Sequence, residues 1–322
     1  MLSTISNYVK YHSIIKNETR DISSKHVAVV YGGMSLEREV SISSSSAIIE
    51  SIVDLGYQVT SIDMGADISS VLQKIKPDVV FNALHGTYGE DGCLQGILNV
   101  LNIPYTHSGL MASSLSMNKK TSLDFFSYHK ILSAKRTIVK KSDNIDSDPM
   151  PRPYVVKPIA QGSSIGVNIV FEEDDFDFKN YKYEYGDEIL VEEYINGKEI
   201  QVAVLNGKAL GALELKILSE RYYTYDVKYT QGLADHIYPA RLSEDNYRKI
   251  LAISEKIYNL LGYRGLIRIE FIYCEQRDNF FMLEVNTHPG MTALSICPEI
   301  AQHNGISFTQ LVKILLDSAQ VD

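Results

Sequence analysis

The stretch Tyr263–Thr292, YRGLIRIEFIYCEQRDNFFMLEVNTHPGMT, restricts the fold more than any other part of the chain. It holds two alternating runs separated by the polar turn Glu275–Asn279, the pattern of two β-strands. A period of two puts Leu266, Arg268, Glu270 and Ile272 on one face of the first run, and Met282, Glu284 and Asn286 on one face of the second. Paired as a hairpin, the runs bring Arg268, Glu270, Glu284 and Asn286 to one surface. Solvated charges on a half-covered sheet are the plain alternative. The rest of both runs is apolar, however, and a charge in such surroundings is costly unless paired or metal-bound. Carboxylates and an amide oxygen suit Mg²⁺, which shares its shell with waters and phosphates. The continuation Asn286–Thr292 adds a Pro-Gly loop whose backbone N–H groups can face a developing negative charge.

Upstream, His26–Tyr31 (HVAVVY), Gly32-Gly33 and a helix from about Glu37 to Leu55 read as the start of an α/β layer. In isolation, Glu37 is a first-turn acid of the kind a helix dipole favours. The strand Asp78–Ala83 leads into LHGTYGEDG, where His85 stands beside a glycine loop that lets backbone approach a ligand. The strand Tyr154–Pro158 carries Lys157 into IAQGSSIG. A lysine beside such a loop suits a phosphate cradle, and an exposed hairpin is the other reading. Neither G-x-G-x-x-G nor a Walker A sequence is present. Ile189–Ile195 ends in acids before a candidate hinge at Asn196-Gly197. Asn206-Gly207 separates two further strands, and Ser219–Pro239 is a long polar and aromatic excursion of the sort that covers sites.

At 322 residues and a net charge of −9, the chain expects two or three domains and disfavours sequence-independent nucleic-acid binding. No apolar run is long enough to span a bilayer. The first 25 residues lack the apolar core of a signal peptide, and Cys93, Cys274 and Cys297 are too scattered for a disulfide framework. A reducing cytoplasm is the expected compartment.

GGMSLEREVS, ALHGTYGEDGCLQG, VVKPIAQGSSIGV, YTYDVKY and RIEFIY…MLEVNTHPGMT stand in a fixed order. Together they resemble the D-alanine–D-alanine ligases of the ATP-grasp superfamily, from about His26 to the end. The resemblance implies an α/β ATP-grasp fold of three domains, the first Rossmann-like. Its divisions are an extension over residues 1–25, a substrate-binding domain over 26–118, a central domain over 119–197 and a C-terminal domain over 198–322. It implies that ATP activates one D-alanine as an acyl phosphate, which the amine of a second D-alanine attacks. Glu270, Glu284 and Asn286 would hold two Mg²⁺ (or Mn²⁺) ions. Lys119 and Lys157 would contact phosphates, with Ser163 and Ser164 in the loop over them. Glu192, Glu193 and Ile195 would meet adenine, and Glu199 ribose. Arg268 and the Gly290 N–H would form an oxyanion hole. Glu37 would bind the first ammonium with His85 nearby, Ser295 and Lys228 the second carboxylate, and Tyr229 would close the covering loop towards Ser164 and Glu37.

The same resemblance expects a homodimer, and the charge and hydropathy already noted expect no nucleic-acid or membrane partner. Three departures stand out: Glu270 in place of the usual aspartate, Gln161 where an acid is common, and a short linker before Tyr154. The competing expectation is another ATP-grasp ligase joining a different acid and amine.

Overall fold

The computed structural model describes residues 25–143, 145–218, 232–292 and 295–322. Lys228, Tyr229 and nearly all of the expected N-terminal extension lie outside these residues.

Strands β1 (His26–Tyr31), β2 (Gln58–Asp63) and β3 (Val79–Asn82) form a parallel sheet in the order β2-β1-β3. The unbroken apolar run Val27–Val30 is completely buried, as a strand covered on both faces requires. Helix α1 (Arg38–Asp54) links β1 to β2, and α2 (Ile68–Ile75) links β2 to β3 on the other side of β1. Because the two connections diverge at β1, a crevice opens beyond the C-terminal ends of β1 and β3. Glu37 and His85 lie in that crevice. Helices α3 (Cys93–Leu101), α4 (Leu110–Met117) and α5 (Lys119–Tyr128) then carry the chain towards the remaining sheets.

Both of those sheets are antiparallel. β4 (Arg136–Lys140), β5 (Tyr154–Pro158), β6 (Asn168–Val170) and β7 (Glu188–Glu193) are ordered β4-β7-β5-β6. β8 (Lys198–Leu205), β9 (Lys208–Ile217), β10 (Ala234–Ile237), β11 (Leu266–Cys274) and β12 (Asn279–Asn286) are ordered β10-β9-β8-β11-β12. Asn206 and Gly207, which join β8 to β9, have φ values of 46° and 83°, as a two-residue hairpin with the strands' own twist needs. β10 falls inside the excursion expected over Ser219–Pro239. It pairs with β9 and so forms an edge strand.

The five-stranded sheet uses its two faces differently. Val202, Val204, Ile267, Ile269 and Phe271 pack on helix α6 (Glu244–Leu260) and on α5. On the other face, Ala203, Leu205, Leu213 and Leu266 share one core with Val27, Val29 and Phe81, with α1, and with helices α7 (Ile296–His303) and α8 (Phe308–Asp317). The parallel sheet and the five-stranded sheet are therefore joined through a single apolar interior. The four-stranded sheet has a smaller core of its own around Tyr154, Val156 and Phe178.

The β11–β12 hairpin forms with Arg268 opposite Asn286 and Glu270 opposite Glu284. One expectation fails here. Phe271 pairs with Met282, so Leu283 is an extra residue in a β-bulge. The bulge breaks the period of two and turns Met282 away from Glu284 into the α6-side core.

Candidate active site

A cleft separates the four-stranded from the five-stranded sheet. Val155, Ile169, Ile272 and Leu283 supply apolar walls, and Ile195 and Gly197 line one end. Gly197 is required at that bend, since a Cβ there would stand 2.2 Å from the carbonyl oxygen of Tyr273. Lys157 and Glu192 come from adjacent strands, and their side chains meet with Nζ 2.6 Å from Oε2. Burial works against the Lys157 charge. The Glu192 carboxylate, with Glu284 and Glu270 beyond it, more than offsets this and holds the ammonium above its usual range. Glu199 lies in the same cleft and accepts from Gln201 Nε2 at 2.9 Å; Glu193 also lies there, paired with Arg277.

A second cleft opens beside the parallel sheet. Its lining includes Glu37, His85, Glu90, Ser163, Arg268, Gly290 and Ser295. The two clefts share Lys119, Gln161 and Glu284, so they meet there. At the junction, Lys119 Nζ donates to the Gln161 carbonyl at 2.6 Å and lies 3.0 Å from Glu284 Oε2.

Glu37 precedes the first turn of α1 but makes no side-chain cap hydrogen bond there, and it is buried. Its carboxylate accepts from Ser163 Oγ. A Cβ on Gly162 would come within 2.8 Å of the same carboxylate, so the glycine permits this approach. Ser163 and Ser164 both have left-handed backbones, with φ values of 49° and 59°. That conformation sends the two side chains to different clefts, whereas the resemblance puts both in the loop over the phosphates. Ser163 faces Glu37 in the second cleft, whereas Ser164 lines the first cleft.

Ser295 immediately precedes α7, its Oγ accepting from the Thr292 N–H at 2.9 Å. Ser295 Oγ would stand 2.8 Å from a Cβ on Gly290, so the two residues are close neighbours. A helix N-terminus aimed into a cleft is suited to an anion. Arg268 pairs with Glu270 on β11.

Glu90 and Gly162 are the site residues that sequence reasoning missed. His85 Nδ1 lies 3.3 Å from Glu90 Oε1, and Ser44 Oγ lies 3.3 Å from His85 Nε2. Burial raises the Glu90 carboxyl to about 7, with the His85 hydrogen bond opposing and the Glu37 charge adding to the rise. The five-residue spacing of His and Glu across the HGTYGED loop was the available signal.

Glu270 and Glu284 sit directly opposite one another on paired strands, where Arg268 meets the first and Lys119 the second. With the Asn286 amide oxygen, which also accepts from the His288 N–H at 2.9 Å, they make a hard-oxygen set. Among the described residues no three His, Cys, Asp or Glu side chains cluster as a metal site. Two carboxylates and one amide oxygen supply fewer than the six oxygens of an octahedral shell, so the set fits Mg²⁺ completed by phosphate and water.

Comparison with known proteins agrees with this geometry. The family described as "D-ala D-ala ligase C-terminus" matches residues 118–317, and "D-ala D-ala ligase N-terminus" matches residues 64–108. A D-alanine–D-alanine ligase of Rickettsia africae is 55% identical over 311 residues, covering 97% of each chain. One from Rickettsia felis is 54% identical over 319 residues, covering 98% of this chain and 99% of its own. Among solved structures, a D-alanine–D-alanine ligase from Bacillus anthracis complexed with ATP superposes with a TM-score of 0.78 at 26% identity, covering 92% of this chain and 97% of that one. A D-Ala:D-Ser ligase from Enterococcus faecalis superposes with a TM-score of 0.74 at 28% identity, covering 91% of this chain and 99% of that one. Two family matches, near-complete relatives at more than half identity and the shared ATP-grasp architecture lead to one conclusion: this chain belongs to the D-alanine–D-alanine ligase family.

Proposed function

We propose that the protein joins two D-alanine molecules at the expense of ATP, giving D-alanyl-D-alanine, ADP and phosphate, a precursor step of peptidoglycan synthesis. The observation that carries this reading is the meeting of the two clefts at Lys119, Gln161 and Glu284. A γ-phosphate entering from the apolar cleft would reach a carboxylate held in the polar one.

In the first step, a carboxylate oxygen of the first D-alanine attacks the γ-phosphorus and the bond to the β-phosphate oxygen breaks. ADP departs and an acyl phosphate remains. In the second, the amine of the second D-alanine attacks the acyl carbon, and inorganic phosphate leaves from the tetrahedral adduct. Neither step uses a protein nucleophile, so positioning and charge neutralisation carry the catalysis.

Glu37, oriented by Ser163, receives the first ammonium. The Arg268 guanidinium and the Gly290 N–H face the oxygen that becomes negative. Ser295 and the start of α7 receive the second carboxylate; the roles that the resemblance implies for Lys228 and Tyr229 fall on residues outside those described. His85 and Glu90 border the first substrate. Lys119, Lys157 and Ser164 serve phosphates, Glu192, Glu193 and Ile195 adenine, and Glu199 ribose. Glu270, Glu284 and Asn286 would hold Mg²⁺, which supplies charge neutralisation across the phosphates. The domain divisions at residues 118 and 197, a homodimer and a cytoplasmic location complete the reading; among the described residues no helix is long and apolar enough to cross a membrane.

The test is phosphate release from Mg·ATP by the purified protein, with mass analysis of the product. D-Alanine alone should give phosphate and the D-Ala–D-Ala mass. Because one superposable structure is a D-Ala:D-Ser ligase, D-serine and D-lactate are supplied as competing second substrates. A mixed product in preference to the dipeptide, or no turnover with D-alanine, would reject the assignment.

A further inference from the structure

Beneath the two substrate-facing loops lies a buried polar contact between distant parts of the chain. Asn82, the last residue of β3, and His288, in the Pro-Gly loop after β12, meet with Nδ2 2.9 Å from Nε2. Both are at most 1% exposed. Asn82 reaches three groups. Its Oδ1 accepts from the Leu84 N–H at 3.1 Å, and its Nδ2 donates to the Gly89 carbonyl at 2.9 Å as well as facing His288. These bonds settle the amide orientation, because a backbone N–H needs the oxygen and a backbone carbonyl needs the NH₂. The second amide hydrogen then points at His288 Nε2, which must accept. His288 accordingly carries its proton on Nδ1, which lies 3.3 Å from Thr287 Oγ1.

Leu84 and Gly89 bracket the loop bearing His85, and Glu90 follows directly. His288 lies two residues from Gly290, and its own N–H donates to Asn286 Oδ1 at 2.9 Å. One imidazole thus ties the loop that presents Gly290 and Asn286 to the loop that presents His85 and Glu90. His107 packs against its ring at a centroid distance of 4.5 Å, which restricts rotation.

We propose that His288 is a positioning residue for the ligation: through Asn82 it sets the distance between the first-substrate loop and the oxyanion loop. It touches no reacting atom. This inference rests on the ligase reading above, and its test separates the two.

Nitrogen-15 NMR of histidine-labelled wild-type protein should show His288 as the Nδ1–H tautomer, with Nε2 unprotonated; an Nε2–H form cannot accept from Asn82 and would overturn the proposal whether or not the protein turns over D-alanine. Kinetics supply the second arm. His288→Gln keeps an acceptor within similar reach, and His288→Leu removes it and strands a buried donor. His288→Leu should lower kcat for D-alanine-dependent phosphate release about tenfold or more, since small misplacements of reacting groups can cost up to about a hundredfold. ATP affinity, measured separately, should stay within about twofold, and His288→Gln should recover most of kcat. Equal losses in the two variants, or no loss in either, would refute the positioning role. A wild type that does not consume ATP with D-alanine would refute the ligase reading and leave the tautomer measurement standing.

Discussion

Glu37 owes its usefulness to what stands beside it. An acid at the start of a helix is ordinarily solvated, but here the Ser163 hydroxyl donates to it and Gly162 leaves room for it. Gly162→Ala would press a methyl group against that carboxylate. A hydrogen bond to a charged group contributes about 1.5–3 kcal/mol, so partial loss should raise KM for D-alanine about tenfold; steady-state kinetics with D-alanine varied at saturating ATP will show it. Glu90 gives a pH signature. Its carboxyl, raised to about 7 by burial, keeps a proton in the folded state that the unfolded chain has lost above the ordinary carboxyl value of 4.5. Folding therefore takes up a proton between those two values, and this group's contribution to stability declines as pH rises across that window. Urea unfolding at several pH values should show the decline in wild type, and Glu90→Gln should remove it.

At the scale of the element, the β11–β12 hairpin holds both the clearest success and the clearest limit of reading by period. Strand, turn and the facing of Arg268, Glu270, Glu284 and Asn286 were legible because alternation is a local property. The bulge at Leu283 was not, since an inserted residue leaves no mark in a run that is apolar on both faces. The different clefts reached by Ser163 and Ser164 were hidden for a related reason: left-handed backbone at two successive non-glycine residues is held by surroundings, not by their identities. Likewise, the Asn82–His288 contact joins positions whose proximity only the assembled sheets create. The bulge also sends Leu283 into the nucleotide cleft beside Glu284. Leu283→Ala removes apolar area from that wall. At about 0.8 kcal/mol for each of the three carbons lost, ATP affinity should weaken by up to about fiftyfold by calorimetry, while KM for D-alanine measured at saturating ATP stays near wild type.

Across the whole molecule, the parallel sheet and the five-stranded sheet share an interior, whereas the four-stranded sheet keeps a small core of its own. Hydrogen exchange should rank them accordingly, with amides of β4–β7 exchanging faster than those of β1, β3 and β8, because local opening follows the amount of apolar surface that holds a unit shut. Uniform protection across the three sheets would contradict that ranking. The shared interior also imposes an order of events while the chain is being made. Val27, Val29, Ile48 and Phe81 leave the ribosome early, but much of the surface they pack against belongs to Ile300, Leu311 and Leu315. Until those residues emerge the first sheet has an uncovered apolar side, the condition under which nascent chains engage chaperones. The crevice built on that sheet thus rests on a core that α7 and α8 complete, although α8 lines none of it.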